Sequence, residues 1–268
     1  MRQPPGRGSL DVLDLIKRRR SIPKFTSDPV PREVIEEMLE AAVWAPNHHL
    51  TEPWEFFVLE GGAKARFAHV RRAFRLTIFP DPTAPEALKA ADKIARDTAD
   101  TPIIIVVTTR VSPDPEVAED DYAATMIAVQ NMMLTAAGRG VGTYMRTGGF
   151  IRDPGLRAFL DLPQDRRVAA VLYVGYPALV PERRRKHWQE KTRWMSTLTA
   201  EAVPAGADPP APEERASAHA DVAIDPVCHM EVEIATAPAR STYNGTTYYF
   251  CSPGCKVDFD ADPARYLT

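Results

Sequence analysis

The sequence predicts a layered domain of mixed helices and strands, α+β or α/β in class, followed by a linker and a small cysteine-bearing module. Three observations carry this expectation. Up to residue 198, segments with apolar residues at helical spacing alternate with short β-branched or aromatic runs, as expected of helices packed on a sheet. From 199 to 224 the chain is rich in Ala, Pro and acid and too poor in apolar residues to pack, so it reads as a disordered or semi-extended linker. All three cysteines, Cys228, Cys251 and Cys255, lie beyond it, and an odd number argues for metal ligation or redox chemistry rather than a disulfide framework. The expected domains are therefore 1–198, the linker 199–224, and 225–268.

In order, Ser9 is placed to cap a first helix whose apolar positions are Val12, Leu13, Leu15 and Ile16. That helix runs into Lys17, Arg18, Arg19, Arg20, Ser21, a run of cations ending in a hydroxyl. The run suits a phosphate grip, although cations at a helix C-terminus also complement the macrodipole by about 0.3–1 kcal/mol each. Pro31 suits the first position of a second helix carrying Val34, Ile35, Met38, Leu39, Ala42 and Val43, stopped at Trp44-Ala45-Pro46. A polar turn with Asn47, His48 and His49 precedes a strand at 54–59, and two helices are expected at about 63–79 and 85–98.

Pro102 leads into Ile103, Ile104, Ile105, Val106, Val107, a β-branched run suited to a central strand buried on both faces. The longest helix, 117–137, carries Met126, Ile127, Val129, Met132, Met133 and Leu134 around most of its circumference, so it should be buried, against a second subunit if not within the domain. A short strand at 141–147 runs into Gly148-Gly149, a helix follows at 154–160, and a strand at 168–174 closes at Gly175. Residues 181–195 add a second basic cluster, Arg183 to Lys186, either a surface arm or a reach back to the phosphate.

With 44% hydrophobic and 26% charged residues, the chain suits a soluble protein of one large or two unequal domains. No apolar run approaches membrane-spanning length and the N-terminal residues lack a signal-peptide core, which predicts a cytoplasmic protein with no membrane partner. Residues 1–198 are mildly basic, whereas 199–268 hold 4 basic and 11 acidic residues. Such an acidic tail lacks the charge of a nucleic-acid finger.

Taken together, Arg19-Arg20-Ser21, the Pro-led second helix, Ala45-Pro46-Asn47-His48, Glu52-Pro53-Trp54-Glu55-Phe56-Phe57-Val58 and Tyr144-Met145-Arg146-Thr147-Gly148 resemble the FMN-dependent nitroreductase family, in its compact bacterial branch, over roughly residues 10–197. The resemblance implies an α+β layered FMN-binding domain with a central mixed sheet. It further implies an intertwined homodimer with FMN at the interface, reduced by NAD(P)H before it reduces a nitro compound, quinone or similar small acceptor. Carried over residue by residue, Arg19, Arg20 and Ser21 match the phosphate and ribityl grip. His48 matches a flavin-contacting histidine, and Met145, Arg146 and Thr147 fall where the branch has a Trp-Arg-Ser contact. Trp44 stands where the branch usually has arginine, and Met145 replaces an aromatic, so a dedicated enzyme such as a dehalogenase or a flavin-cleaving enzyme is an alternative. No catalytic acid, base or nucleophile is demanded, because the cofactor supplies the chemistry.

In the tail, Cys251 and Cys255 stand four apart at the start of a short helix, and a hairpin returning Cys228 to them makes a three-thiolate pocket that His229 could complete. The segment from Asp225 to Leu267, with Tyr-Tyr-Phe-Cys-Ser and Asp-Pro-Ala-Arg-Tyr-Leu, resembles the YHS domain of the TRASH-type metal-binding class. That resemblance implies a ββα-type module with a soft metal, zinc or copper, in either a structural or a metal-handling role. It also leaves a second alternative for the whole chain, a metal-binding or metal-responsive protein whose flavin domain is secondary.

Overall fold

The computed structural model describes residues 11–182, 185–195, 222–228 and 230–267. The chain divides into two compact units between residues 183 and 184. In the first unit the elements are α1 (Val12–Arg18), α2 (Arg32–Val43), β1 (Trp54–Leu59), α3 (Gly61–Leu76), α4 (Pro85–Ala99), β2 (Ile103–Arg110), α5 (Pro115–Gly138), β3 (Gly142–Arg146), α6 (Pro154–Phe159) and β4 (Arg166–Gly175).

The four strands form one sheet in the order β1-β2-β4-β3, every pair antiparallel. A parallel bridge between Ser21 and Thr143, on the free edge of β3, gives the sheet its mixed character. Alternation along the strands decides the layers. Ile103, Ile105, Val107 and Leu172 point to the face covered by α2 and α5, where Met38, Ala128 and Met132 are buried. Ile104, Val106, Val171 and Tyr173 point to the other face, against Phe67 of α3, Leu156 of α6 and Phe150. With helices on both faces, β2 is buried from Ile103 to Thr109, which is why its sequence is β-branched and apolar without alternation.

Two details differ from expectation. Ser9 lies outside the described residues, and α1 is capped instead by Asp11, whose carboxylate accepts from the Leu13 amide at 3.0 Å. Pro31 is the capping residue of α2 rather than its first helical position. α5 is buried within its own unit along Ala124, Ala128, Val129, Met132 and Ala136, while Ile127 remains exposed. Among the described residues, no helix is long and apolar enough to cross a membrane.

In the second unit, Trp188–Lys191 form a single 3-10 turn. Of the basic cluster 183–186, Arg183 and Arg184 lie outside the described residues, while Arg185 and Lys186 are exposed. Residues 196–221, which include 199–221 of the expected linker, also lie outside them. Val222–Ile224, assigned by sequence to the linker, instead form β5, which pairs antiparallel with β6 (Glu231–Glu233). Next come β7 (Ala239–Tyr243) and β8 (Thr246–Phe250), a hairpin turned by Asn244 and Gly245 with φ of 51° and 80°, and then α7 (Pro253–Ala261). An Asn-Gly pair accepts those left-handed angles with little strain. Phe250, Phe259, Val227 and Cys255 form this unit's buried core, ringed by Tyr243, Tyr248 and Tyr266.

Candidate functional site

The basic stretch leaves α1 and runs along the free edge of β3. Leu15 places α1 at the C-terminal end of α5, near Gly138. The Ile22 amide donates to the Thr143 carbonyl at 2.9 Å, which fixes Ser21 beside β3. Gly142 makes this approach possible, since a Cβ there would stand 2.6 Å from Ile22 Cγ1. Arg20 turns its guanidinium back to the Lys17 and Arg19 carbonyls at the end of α1. Part of its charge therefore serves the helix terminus, as the macrodipole argument allows. Arg18, Arg19, Arg20, Gly140 and Thr143 line a cavity of about 210 Å³.

Where the stretch continues, Lys24 and Phe25 line a second cavity of about 360 Å³ with Lys93, Asp97, Tyr144, Arg146 and Tyr173. A third, of about 290 Å³, shares Lys93, Asp97 and Arg146 with it and adds Arg71, Phe74 and Arg75. Arg146 lies over the rings of Tyr144 and Tyr173, at 4.7 and 4.9 Å, and Arg71 over Phe150 at 4.2 Å. The Nε atoms of Arg71 and Arg146 are both buried without a hydrogen-bond partner. Burial pulls the Arg71 guanidinium below its ordinary pKa, and neighbouring Arg146 adds to the effect, against the opposing influence of Tyr173, whose hydroxyl oxygen accepts from Arg71. The carboxylate of Asp97 bonds Lys93 at 2.5 Å and offsets its charge, which leaves Arg71, Arg75 and Arg146 as the excess cations of the shared region. Such a site suits a ligand with a flat face and an anionic or carbonyl-rich edge.

The residues expected to contact a flavin do not all converge. Arg19, Arg20 and Ser21 stand at the start of β3 and Arg146 at its end. Met145 and Arg146 are adjacent on a strand, so their side chains take opposite faces: Met145 packs under α5 and α2, away from the cavities. Thr147 is exposed just after β3. His48 is elsewhere, in a loop whose Nδ1 lies 2.8 Å from the Asp120 carboxylate on the first half of α5. That loop is held hard. Its His49, Leu50 and Glu52 all have positive φ, the Asn47 side-chain Oδ1 accepts from the Glu52 amide at 2.6 Å, and Thr51 bonds the buried Asp121. Backbone strain of this kind persists only where surroundings impose it. Arg71, Lys93 and Tyr173 were not singled out from the sequence, since each reads as an ordinary helix or strand residue.

In the second unit the three predicted cysteines come together. Cys228 and Cys251 have their sulfurs 3.4 Å apart, and Cys251 and Cys255 theirs 3.7 Å apart. Sulfurs tetrahedrally placed at ~2.3 Å from one metal would be separated by about 3.8 Å, so the cluster fits a single soft cation. A fourth group, Asp225, belongs to the cluster, and the four donor atoms all lie within 4.8 Å of one another. His229, suggested from the sequence as a fourth donor, lies outside the described residues. Burial opposes the Asp225 charge, but the amides of Cys251, Val227 and Cys228 outweigh it and hold the carboxyl below its usual range. Burial also pushes the Cys255 thiol up to about 11, and Cys251 higher, so a cation is what would make thiolates stable here.

Comparison with known proteins agrees with both units. Residues 16–176 match the model of the nitroreductase family and residues 223–268 that of the YHS domain. YfhC of Bacillus subtilis, named for NAD(P)H nitroreductase activity, is 34% identical over 172 residues, 64% of this chain and 87% of YfhC. A nitroreductase-like family protein from Bacillus cereus superposes with a TM-score of 0.62 at 29% identity, covering 71% of this chain and 98% of that one. A Desulfovibrio desulfuricans protein solved in complex with FMN shares the fold, with a TM-score of 0.55 at 23% identity over 74% of this chain and all of that one. The chain therefore belongs to the nitroreductase family through its first unit and carries a YHS domain, with a cysteine cluster fit for a metal, at its C-terminal end.

Proposed function

We propose that the first unit is an FMN-dependent NAD(P)H oxidoreductase that reduces nitro compounds, quinones or similar small acceptors by a ping-pong sequence, in the cytoplasm. The observation that carries the reading is the set of cations lining three cavities, Arg18, Arg19 and Arg20 in one and Lys24, Arg146 and Arg71 in the two that share Arg146, with the Nε atoms of Arg71 and Arg146 buried and without partners. Arg19 and Ser21 would hold the FMN phosphate. Lys24, Lys93 and Arg146 would face the carbonyl-bearing ring, with Tyr144 and Tyr173 fixing Arg146 from one side. FMN, when bound, supplies the hydride and electron transfer. The residues around it bind and orient it, and Arg71 and Arg146 favour the form carrying negative charge.

We also propose that the working form is a homodimer in which His48 serves the partner's site. His48 bonds Asp120, whereas the basic stretch lies at Gly138. Eighteen residues of α5 separate those positions, a rise of roughly 27 Å. One flavin cannot touch both ends within a single chain. Val12, Leu13, Ile16, Trp44 and Ile127 leave apolar surface exposed, as a dimer would require.

Purified protein should be yellow, release FMN on denaturation, and oxidise NAD(P)H with a nitroaromatic or quinone acceptor. Failure to take up FMN on reconstitution, together with no NAD(P)H oxidation, overturns the reading. Mixed dimers of Arg19→Ala and His48→Ala chains should regain one intact site of two. Loss no smaller than in either parent would sink the shared-site arrangement.

A further inference from the structure

We propose that Asp225 assembles the metal site without being one of its donors: a single carboxylate holds both cysteine-bearing segments where a soft cation needs them. The side chain is fully buried. Its Oδ1 accepts from the amides of Val227 at 2.9 Å and Cys228 at 3.4 Å, on the loop between β5 and β6. Its Oδ2 accepts at 2.8 Å from the amide of Cys251, which lies between β8 and α7. One residue thus ties together two segments 26 positions apart, and each carries a thiol.

A carboxylate offers about four acceptor positions, and three are engaged by amides. Turning Oδ1 onto a cation would strand the Val227 and Cys228 amides, and the position left on the carboxylate faces the Cys251 thiol. That favours three thiolates as the donor set contributed by the described residues. Cys255 is served in parallel by a different oxygen, the Ser252 hydroxyl, which caps α7 and accepts from the Cys255 amide at 3.2 Å. Each of the three cysteines therefore has its own amide fixed by a side-chain oxygen. The sulfur separations of 3.4 and 3.7 Å are close to those around a bound cation, and the amide clamps hold the two segments at that spacing. Outer groups that orient ligands in this way typically govern metal affinity by 10–100-fold, while the ligands determine which metal binds.

The test uses the full-length protein with Asp225→Asn and, as a donor-loss control, Cys228→Ser. Asn keeps the carbonyl acceptor for Val227 and Cys228 but turns an NH₂ toward the Cys251 amide. Zn(II) affinity is measured by competition with a chromophoric chelator. The substituted Co(II) form is read by its thiolate charge-transfer and d–d bands, and proteolysis of residues 225–267 is followed with and without saturating metal. Asp225→Asn should bind one Zn(II) per chain about 10–100-fold more weakly. At saturation it should show the wild-type Co(II) spectrum and wild-type protease resistance, while Cys228→Ser shows an altered spectrum. Three results would each overturn the proposal. Unchanged Zn(II) affinity would mean the clamp is idle. A Co(II) spectrum in Asp225→Asn that differs at saturation would make Asp225 a donor. Protease sensitivity that saturating metal does not repair would make it a residue of the fold alone.

Discussion

Replacing Gly142 by Ala should loosen the grip on FMN while leaving the strand itself in place. A Cβ at this position would lie 2.6 Å from Ile22 Cγ1, 3.0 Å from Ile22 Cβ and 3.1 Å from Pro177 Cγ. Ile22 is buried and its amide bonds the Thr143 carbonyl at 2.9 Å, so neither side chain can swing clear and the segment at 21–22 must lift off β3. Overpacking of this kind costs about 1–3 kcal/mol, and the Ile22–Thr143 hydrogen bond another 0.5–1.5 or so. For a domain of this size each kcal/mol moves Tm by about 2–4 °C, so the fall should be roughly 3–18 °C. Arg19 and Ser21 move with the segment, and losing their charged contact to the phosphate would weaken FMN by about one to two decades in Kd. Thermal melts and a flavin-fluorescence titration read both quantities. The control is Gly148→Ala, at a position with φ of −70° and no atom within 4 Å of the added methyl, which should leave Tm nearly unchanged. Wild-type Tm and FMN affinity in Gly142→Ala would refute the argument, as would an equal loss of Tm in Gly148→Ala.

Arg19→Ala should weaken FMN binding by roughly 1.5–3 kcal/mol with circular dichroism unchanged; an unaltered FMN Kd would remove the basic stretch from its central place. Replacing Cys251 and Cys255 together by Ser should abolish metal uptake and leave residues 225–267 protease-sensitive, with the first unit still able to take up FMN, and metal retained by the double variant would exclude these thiols as ligands. The metal-free second unit should also lose stability in alkali. Burial raises the Cys255 thiol from 9.0 to about 11, so its contribution is complete below pH 9 and fades as pH rises from about 9 to 11. Denaturant midpoints of the metal-free tail that stay flat over that range would count against a buried Cys255.

Much of this protein is written locally in its sequence. Helical spacing placed α2, α4 and α5 within a few residues, because an amphipathic or buried helix repeats its apolar residues every turn whatever it packs against. The unbroken Ile103–Val107 run marked a strand covered on both faces, and the cysteine spacing marked a metal cluster. The strand order, and which cations meet around one cavity, were decided only in three dimensions. Arg71 and Arg146 come from different elements, 75 positions apart, and neither carries a local signal of the other. Adjacent Met145 and Arg146 were read as one contact patch, yet strand alternation sends one into the core beneath α5 and the other toward the cavities. His48 and the basic stretch were joined by family resemblance, but the length of α5 keeps them apart in a single chain. Asp225 stands three positions before Cys228 in plain view, but its bond to the Cys251 amide exists only once the hairpin has folded back. Short-range periodicity and spacing thus determined the elements and the donors, whereas contacts between distant segments, which no local pattern encodes, determined how those groups face one another.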